Sequence, residues 1–351
     1  MAADLHALLD AMLRMGGSSL MLKAGSPPLY RVQGALVPSE DPPCVEEELD
    51  RVLEGLLSPD QKAKLDQEGQ VDLIFEGPGE TRFGAHVFRH SQGLGAVFHP
   101  IPREVPTPGE LGLPDCVVSL AGRRSGINLF TGPTGSGKTT TLAALVGEAA
   151  RAGRHVISVE DPIEYLHTEP GPGLVHQREV GIHVESAAAG AREALLLGAD
   201  VLMVGEVQDG ETVQAILEAA NAGLLVFAGI SSARTVSALE KFLGLVPPDQ
   251  VELARTILSW HLNAVVAQAL VKKRFGTGLA LAVEVLLASP SVKEAVKKGD
   301  LHDLPAHMKR GRGLGMCTME ASLEKLLSRK VISRDEAWML AKEKQPAGLP
   351  F

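Results

Sequence analysis

Cysteine is scarce in this sequence. Only three cysteines occur among 351 residues: Cys44, Cys116 and Cys317. They are far apart in the chain and form no Cys-x-x-Cys pair, which argues against a disulfide framework and against a zinc knuckle. We therefore expect the three cysteines to be small, buried apolar residues.

Excess positive charge and long apolar runs are missing as well. Lys and Arg number 34 against 43 Asp and Glu, a formal net charge of −9, so nothing draws the chain as a whole to nucleic acid. The apolar stretch Leu279–Leu287 is far shorter than the about 20 residues of a membrane-spanning helix, and Glu284 interrupts it. The first residues, Met1–His6, show no basic segment followed by an apolar one, as a secretory signal would. These absences predict a cytoplasmic protein with no membrane span and no nucleic-acid partner.

The length and the local patterns predict two α/β domains. Residues 1–22 have helical spacing up to Gly16, and short β-like runs then continue to Phe98, interrupted by one helical segment at Val45–Leu57. We assign residues 1–100 to a small N-terminal domain. Four prolines between Pro100 and Pro108 then predict an extended connector, which we place over residues 101–112.

Residues 113–351 have the pattern of a doubly wound α/β domain. Continuous apolar runs alternate with helical segments, which is typical of a parallel sheet covered on both faces. The predicted strands are Gly126–Phe130, His155–Val159, Val201–Val204 and Leu224–Ile230. From about residue 250 we expect a helical C-terminal tail with a short strand pair near Leu270–Val285.

A phosphate-binding loop follows the first of these strands. The residues Gly132, Pro133, Thr134, Gly135, Ser136, Gly137, Lys138 and Thr139 fit the pattern G-x-x-x-x-G-K-[ST], and a helical segment begins at Thr140. The glycines let backbone N–H groups surround a phosphate, Lys138 reaches the β- and γ-phosphates, and Thr139 can hold Mg²⁺. The loop therefore predicts a site for ATP and Mg²⁺ that includes Thr140.

Two carboxylates follow strands of the same predicted sheet. The strand Val201–Val204 is followed by Gly205 and Glu206, at the position where an acid of a P-loop protein meets Mg²⁺ or its water shell. Glu160 directly follows the predicted strand His155–Val159, and ligands bind at the carboxyl ends of parallel strands. Glu160 could orient the attacking water, or it could cap the segment that follows. The histidines His86, His90 and His99 have no Cys or Glu that would complete a metal site, so we expect no metal other than Mg²⁺.

Four motifs in order resemble those of the type II/IV secretion ATPases, and among them the PilT-type retraction motors of type IV pili. The motifs are the loop at Gly132–Thr139, the acidic run Val159–Glu164, the tetrapeptide Gln177–Val180, and Val204–Glu206 followed by Asp209-x-Glu211-Thr212. The resemblance implies a PAS-like N-terminal domain, a RecA-like C-terminal domain, and a hexameric ring with nucleotide between neighbouring subunits.

The same resemblance implies roles for individual residues and partners. Lys138 and Thr139 bind phosphate and Mg²⁺, Glu160 activates water, and Glu206 is the Walker B acid that holds Mg²⁺ through water. Arg82 would contact the nucleotide of a neighbouring subunit. The implied partners are further copies of the chain, an inner-membrane pilus platform protein and, where the ring is mixed, a paralogous motor ATPase. The protein would lie in the cytoplasm, attached to the inner membrane through the pilus machine.

Several residues depart from the family pattern. Ser231 replaces a histidine, Gln208 and Leu196 replace arginines, and three N-terminal arginine positions carry Gly84, Gln92 and His99. Arginine side chains that stabilise the transferring phosphoryl group are worth about 10³–10⁵ in turnover, so their loss predicts ATP binding with weak hydrolysis. The alternative is that Arg31, Arg89 or Arg103 substitutes for them. Two functions follow: a pilus motor, or a hydrolysis-deficient paralogue that regulates or co-assembles with an active motor.

Overall fold

The chain divides into two units, and each unit is formed by two separate stretches of the sequence. The computed structural model describes residues 4–32, 35–168, 171–276 and 278–343. One unit comprises Met1–Glu104 together with a short later segment, Pro162–Leu166, and the other comprises Val105–Asp161 with His167–Phe351. The sequence predicted the end of the first domain near residue 100, but no local pattern indicated that a later segment joins it.

The N-terminal unit is built on a six-stranded antiparallel sheet. Its strands are β1 Gly17–Lys23, β2 Leu29–Val32, β3 Ala35–Pro38, β4 Gln70–Glu76, β5 Arg82–His90 and β6 Gly93–Ile101. Their order in the sheet is β3-β2-β1-β6-β5-β4. Alternate residues of β5, such as Phe83, Ala85 and Val87, are buried, as expected for an antiparallel sheet with one face in a core.

Three helices supply the rest of the N-terminal core: α1 Leu5–Arg14, α2 Glu46–Leu56 and α3 Pro59–Glu68. The helix predicted over 45–57 is confirmed, whereas α3 was not predicted. It begins with a capping box between Ser58 and Gln61, has Pro59 in its first turn and ends at Gly69 in the left-handed conformation. These are the ordinary start and stop signals of a helix.

The proline-rich connector is more ordered at its ends than the sequence indicated. Strand β6 continues through Pro100 to Ile101, and a helical turn, α4, covers Pro108–Leu111. Thr107 and Glu110 form a capping box around Pro108, which occupies the first turn, where its missing N–H costs nothing. A second short helix, α5, follows at Asp115–Val118.

The second unit contains a seven-stranded sheet. Its strands are β7 Gly126–Thr131, β8 His155–Glu160, β9 Leu174–Glu179, β10 Val201–Val204, β11 Leu225–Ile230, β12 Leu262–Lys272 and β13 Leu279–Leu287. The order is β13-β12-β7-β11-β10-β8-β9, and only β13 is antiparallel to its neighbour. All residues of β7, β10 and β11 are buried, which accounts for their continuous apolar character. The α/β fold class predicted from the sequence is confirmed.

In the part of the chain that the structure describes, nine longer helices pack around this sheet. They are α6 Lys138–Arg151, α7 Ala187–Leu196, α8 Gly210–Asn221, α9 Thr235–Gly244, α10 Val251–His261, α11 Pro290–Lys298, α12 Leu304–Arg310, α13 Met319–Ser328 and α14 Arg334–Glu343. The region beyond residue 250 is richer in sheet than expected, because β12 lies beside the central strand β7. None of the helices within the described ranges combines the length and apolar character that a membrane span requires.

The cysteines correct one expectation. Cys44, Cys116 and Cys317 are half-buried rather than fully buried, and no disulfide joins them. Partial burial raises the pKa of each thiol. The thiolate form is therefore disfavoured at all three positions.

Candidate functional site

The loop Gly132–Gly137 connects the buried strand β7 to the N-terminus of α6. Gly135 and Gly137 have φ angles of +76° and +86°, which residues with a side chain rarely adopt. A Cβ atom on Gly132 would lie 2.3 Å from Ser136 Oγ and 2.6 Å from the carbonyl oxygen of Gln268. The loop therefore favours glycine at all three positions, two of which, Gly132 and Gly137, are those that the sequence pattern requires.

Lys138 brings the loop together with residues from two other strands. Its Nζ donates to the carbonyl oxygen of Gly132 at 2.9 Å and lies 3.4 Å from Ser231 Oγ and 4.0 Å from Glu206 Oε2. Ser231 follows β11 and Glu206 follows β10, so both stand at the carboxyl edge of the parallel sheet. Two of the predicted site residues, Lys138 and Glu206, thus lie in one place.

The remaining loop residues are arranged in a manner that suits a phosphate. Pro133, Thr134 and Gly135 are exposed, whereas Thr139 and Thr140 are half-buried in the first turn of α6. Ser136 is buried, and its Oγ has no hydrogen-bond partner among the described residues. A buried hydroxyl without a partner, next to a helix N-terminus and a lysine, fits a phosphate oxygen. The side chains of Thr139 and Glu206 supply oxygen atoms, the ligand type that Mg²⁺ prefers.

Glu160 is the last residue of β8 and is 5% exposed. Its Oε1 accepts hydrogen bonds from Ser158 Oγ at 2.6 Å and from Gln177 Nε2 at 3.1 Å. The backbone N–H of Gly205 donates to the carbonyl oxygen of Val159 at 2.8 Å, so the turn that carries Glu206 adjoins the end of β8. The structure therefore places both predicted carboxylates on neighbouring strand ends.

Arg82 lies on β5 in the N-terminal unit, where it binds backbone of its own chain. Its Nη1 donates to the carbonyl oxygen of Glu164 at 2.7 Å and its Nη2 to that of Ile163 at 3.0 Å. Both partners belong to the segment that groups with the N-terminal unit. The contact of Arg82 with a neighbouring subunit's nucleotide stays a prediction.

The other arginines of interest have acidic partners. Arg89 pairs with Asp66 at 2.5 Å and Arg103 with Glu80 at 2.9 Å, both exposed. Arg192 lies 3.8 Å from Glu218 on the neighbouring helix α8. Leu196, at the end of α7, is 86% exposed. An exposed ion pair is weak, so these arginines could exchange their partners at little cost.

Gly84 and His99 are directly opposite each other on β5 and β6. A Cβ atom on Gly84 would lie 2.4 Å from His99 Nε2, so the imidazole fills the space that a side chain at Gly84 would need. The two departures from the family pattern therefore depend on each other. An arginine could not be accommodated at Gly84 while His99 keeps this position.

The sequence assigned no role to three residues that contribute to the site: Ser158, Gln177 and Lys241. Lys241 on α9 donates from Nζ to the carbonyl oxygen of Ser231 at 3.0 Å. Ser158 and Gln177 are register partners on β8 and β9. Only knowledge of that strand pairing could have linked Gln177 to Glu160, since the sequence shows a polar tetrapeptide and no apolar run. Asp209, by contrast, caps α8 by accepting from Thr212 N at 2.7 Å.

The histidines show no common site. Across the described ranges, no group of three or more His, Cys, Asp or Glu residues could hold a metal ion. His86 bonds Asp72, and His155 bonds His176. The pKa of His167 is lowered to about 4, mainly by desolvation on burial and also by the charge of Arg151.

Comparison with known proteins identifies related chains. Residues 115–303 match the family described as type II/IV secretion system protein. The chain is 33% identical to the type IV pilus retraction ATPase PilT of Pseudomonas aeruginosa, over 97% of this chain and 98% of the relative. It is also 33% identical to the type IV pilus ATPase PilU of the same organism, over 95% of this chain and 87% of the relative. A crystal structure of the pilus retraction motor PilT with bound ADP superimposes with a TM-score of 0.80 at 32% identity, covering 98% of this chain and 97% of that one.

Proposed function

Because the chain belongs to the type II/IV secretion ATPase family, we propose that it is a ring-forming pilus motor ATPase whose own rate of hydrolysis is low. One observation carries the catalytic part of this proposal. Glu206 and Ser231 follow two different strands and lie within 4.0 Å of the ammonium group of Lys138, which begins α6. This is the arrangement that a P-loop ATPase needs around the terminal phosphates.

Most residues of the site bind ATP and Mg²⁺, and Glu160 takes part in proton transfer. The loop N–H groups and Lys138 hold the phosphates of ATP. Mg²⁺, held by Thr139 and through water by Glu206, would neutralise charge that develops on the phosphate oxygens. Glu160 accepts a proton from water as the water oxygen bonds to the γ-phosphorus, and the bond to the bridging oxygen breaks, leaving its electron pair on ADP.

The low rate follows from what the site lacks. Ser231 has a short hydroxyl where the family has an imidazole, and Leu196 carries no charge. His99 occupies the space above Gly84. These losses remove donors to the transition state but leave the loop and Lys138, on which ground-state binding depends. ATP should therefore bind normally and be hydrolysed slowly.

A second function is favoured by the same departures. A paralogue that binds ATP, enters a ring with an active motor and regulates it would tolerate the loss of these donors. Its other partner would be an inner-membrane pilus platform protein, and the chain would act in the cytoplasm at that platform. The 33% identity to PilU, over 95% of this chain, is compatible with this alternative.

Steady-state ATP turnover of the pure protein, alone and mixed with an intact PilT-type motor, tests the proposal. We expect slow turnover alone; a rate equal to that of the intact motor would refute the low-rate part. An effect on the mixed sample beyond the sum of the two rates would favour the regulatory alternative. Light scattering with nucleotide and Mg²⁺ should show a closed ring, of about six chains if the resemblance to the family holds. A monomer at high concentration would contradict the ring.

A combined reversion tests why the rate is low. The variant carries Gly84→Arg, Gln92→Arg, His99→Arg and Ser231→His together, because residues that act as a unit are not additive. Because His99 fills the space that a side chain at Gly84 would need, Gly84→Arg requires that His99 be replaced as well. Turnover should rise more than ATP affinity. A variant that binds ATP, assembles and stays inert would show that the defect lies elsewhere, at Gln208 or Leu196.

A further inference from the structure

The carboxylate of Glu160 is held on one oxygen by two donors. Ser158 Oγ and Gln177 Nε2 both donate to Oε1, at 2.6 Å and 3.1 Å. Ser158 lies two residues before Glu160 on β8 and is paired with Gln177 on β9, so the three side chains share one face of the sheet. The last torsion of a glutamate side chain has only broad preferences. These two bonds therefore fix the rotation of the carboxylate and stabilise its ionised form.

The amide of Gln177 is itself oriented. Its Oε1 accepts a hydrogen bond from the backbone N–H of His167 at 2.9 Å. Because an amide has an acceptor on one side and donors on the other, this bond turns the NH₂ group toward Glu160. A flipped amide would place an oxygen against the carboxylate and an NH₂ against an N–H donor. The hydrogen bonds of Gln177 with His167 and with Glu160 thus require the same orientation of the amide.

His167 is the first residue after the segment Pro162–Leu166, which groups with the N-terminal unit. Within that unit, the two hydrogen bonds from Arg82 hold the carbonyl groups of Ile163 and Glu164. One end of the segment is separated from Glu160 by Asp161 alone. The other end reaches Glu160 through His167 and Gln177. A displacement of the segment therefore acts on the carboxylate from both ends.

We propose that Gln177 is a positioning residue for Glu160 and that it transmits the placement of the segment Pro162–Leu166 to the carboxylate. This rests on the proposed function, in which Glu160 accepts the proton of the attacking water. A general base must be held within hydrogen-bond reach of that proton, and a misplacement of about 1 Å can cost about 100-fold in rate.

Two variants of Gln177 separate positioning from folding. Gln177→Met removes both hydrogen bonds, whereas Gln177→Glu keeps an acceptor for His167 N–H and places a second carboxylate against Glu160. We expect kcat to fall about 10-fold to 100-fold in the first and further in the second, while KM for ATP changes by less than about threefold. Gln214→Met is the matched control, because Gln214 Nε2 also donates to a glutamate, Glu218, at 2.9 Å on the exposed face of α8. It should leave both constants unchanged.

The outcomes distinguish this inference from the proposed function. Glu160→Gln should abolish turnover while ATP still binds in calorimetry; if it turns ATP over normally, the proposed role of Glu160 fails. If Glu160→Gln is inactive but Gln177→Met and Gln177→Glu keep the original kcat, the positioning role is overturned. Loss of ATP affinity in both Gln177 variants would overturn it too, since the role of Gln177 would then be structural.

A double-mutant cycle tests the transmission. Arg82→Met releases the two carbonyl groups of the segment, and we combine it with Gln177→Met. If Arg82 acts through Gln177, the loss in kcat of the double variant is smaller than the product of the two single losses. Losses that multiply would mean that the two residues act independently, and would overturn the transmission while leaving the positioning role intact.

Discussion

Arg234 and Glu284 form an ion pair at the base of the loop that carries Ser231. Arg234 Nη1 lies 2.9 Å from Glu284 Oε2, and its Nη2 lies 2.6 Å from Glu320 Oε1. Glu284, in the middle of β13, is 5% exposed. Its Oε1 accepts from Thr235 N at 2.9 Å and from Thr235 Oγ1 at 2.8 Å. One buried carboxylate thus connects β13 to the start of α9, and Arg234 extends the connection to α13.

The substitution Arg234→Met should be strongly destabilising. Burial opposes the charge of Arg234, but the bonds to Glu320 and Glu284 outweigh it and raise its pKa. Removing the guanidinium leaves a buried charge on Glu284, and breaking such a pair costs about 3–5 kcal/mol. Because the two donors of Thr235 remain, we expect a loss near the lower end, about 3 kcal/mol. Arg103→Met breaks an ion pair that is 79% and 81% exposed, and should cost less than about 1 kcal/mol.

Urea unfolding of the second unit measures both losses. The double variant Arg234→Met, Glu284→Gln removes the uncompensated charge and keeps an oxygen for the Thr235 donors. It should therefore regain a large part of the stability that Arg234→Met loses. The reasoning is refuted if Arg234→Met is no more costly than Arg103→Met, or if the double variant is as unstable as the sum of its two single changes.

Three further predictions follow from single residues. Gly229→Ala should lower the free energy of unfolding in urea by about 3 kcal/mol or more, because the new Cβ would lie 2.0 Å from the carbonyl oxygen of Gly205. The control is Gly244→Ala in α9, where a new Cβ would meet no atom within 4 Å and should stabilise the chain slightly. Because the pKa of His167 is about 4 in the folded chain and about 6.5 when unfolded, the unfolded state takes up its proton first as the pH falls. The stability due to neutral His167 is complete above about pH 6.5 and is lost toward pH 4. His167→Gln should therefore reduce the change in unfolding free energy over this pH range by about 3 kcal/mol; an unchanged slope contradicts this. Lys138→Ala should weaken ATP binding in calorimetry about 10-fold or more, and Lys298→Ala, on the surface of α11, should not; equal affinities of the Lys138 variant and the original protein would rule out the phosphate site.

The sequence was most informative where local chemistry and burial agree. Val201–Val204 was predicted with the bounds that the structure shows, since a fully buried parallel strand is apolar at every position. The loop before Lys138 was equally clear, because its backbone tolerates only glycine at defined positions. Strand β9 was missed, because an edge strand such as Leu174–Glu179 has exposed and half-buried polar residues and shows no apolar run.

Contacts between distant parts of the chain were the least predictable. The partnership of Gln177 with Glu160 depends on the register of β8 and β9, which no pattern within either strand determines. In the same way, the position of His99 over Gly84 depends on the register of β5 and β6. The glycine and histidine at these positions were visible as departures from a family pattern, but their mutual dependence required the pairing.

Because Pro162–Leu166 groups with the N-terminal unit, the two units cannot be exchanged as two halves of the chain. The backbone passes between the two units three times, after Glu104, after Asp161 and after Leu166, so no single cut separates them. Excision of residues 1–104 would remove Arg82, the donor to two carbonyl groups of this segment. An ATPase fragment beginning at Val105 would therefore be damaged two residues after Glu160. Gene fusions or truncations that exchange the N-terminal half would have to exchange this five-residue insert with it.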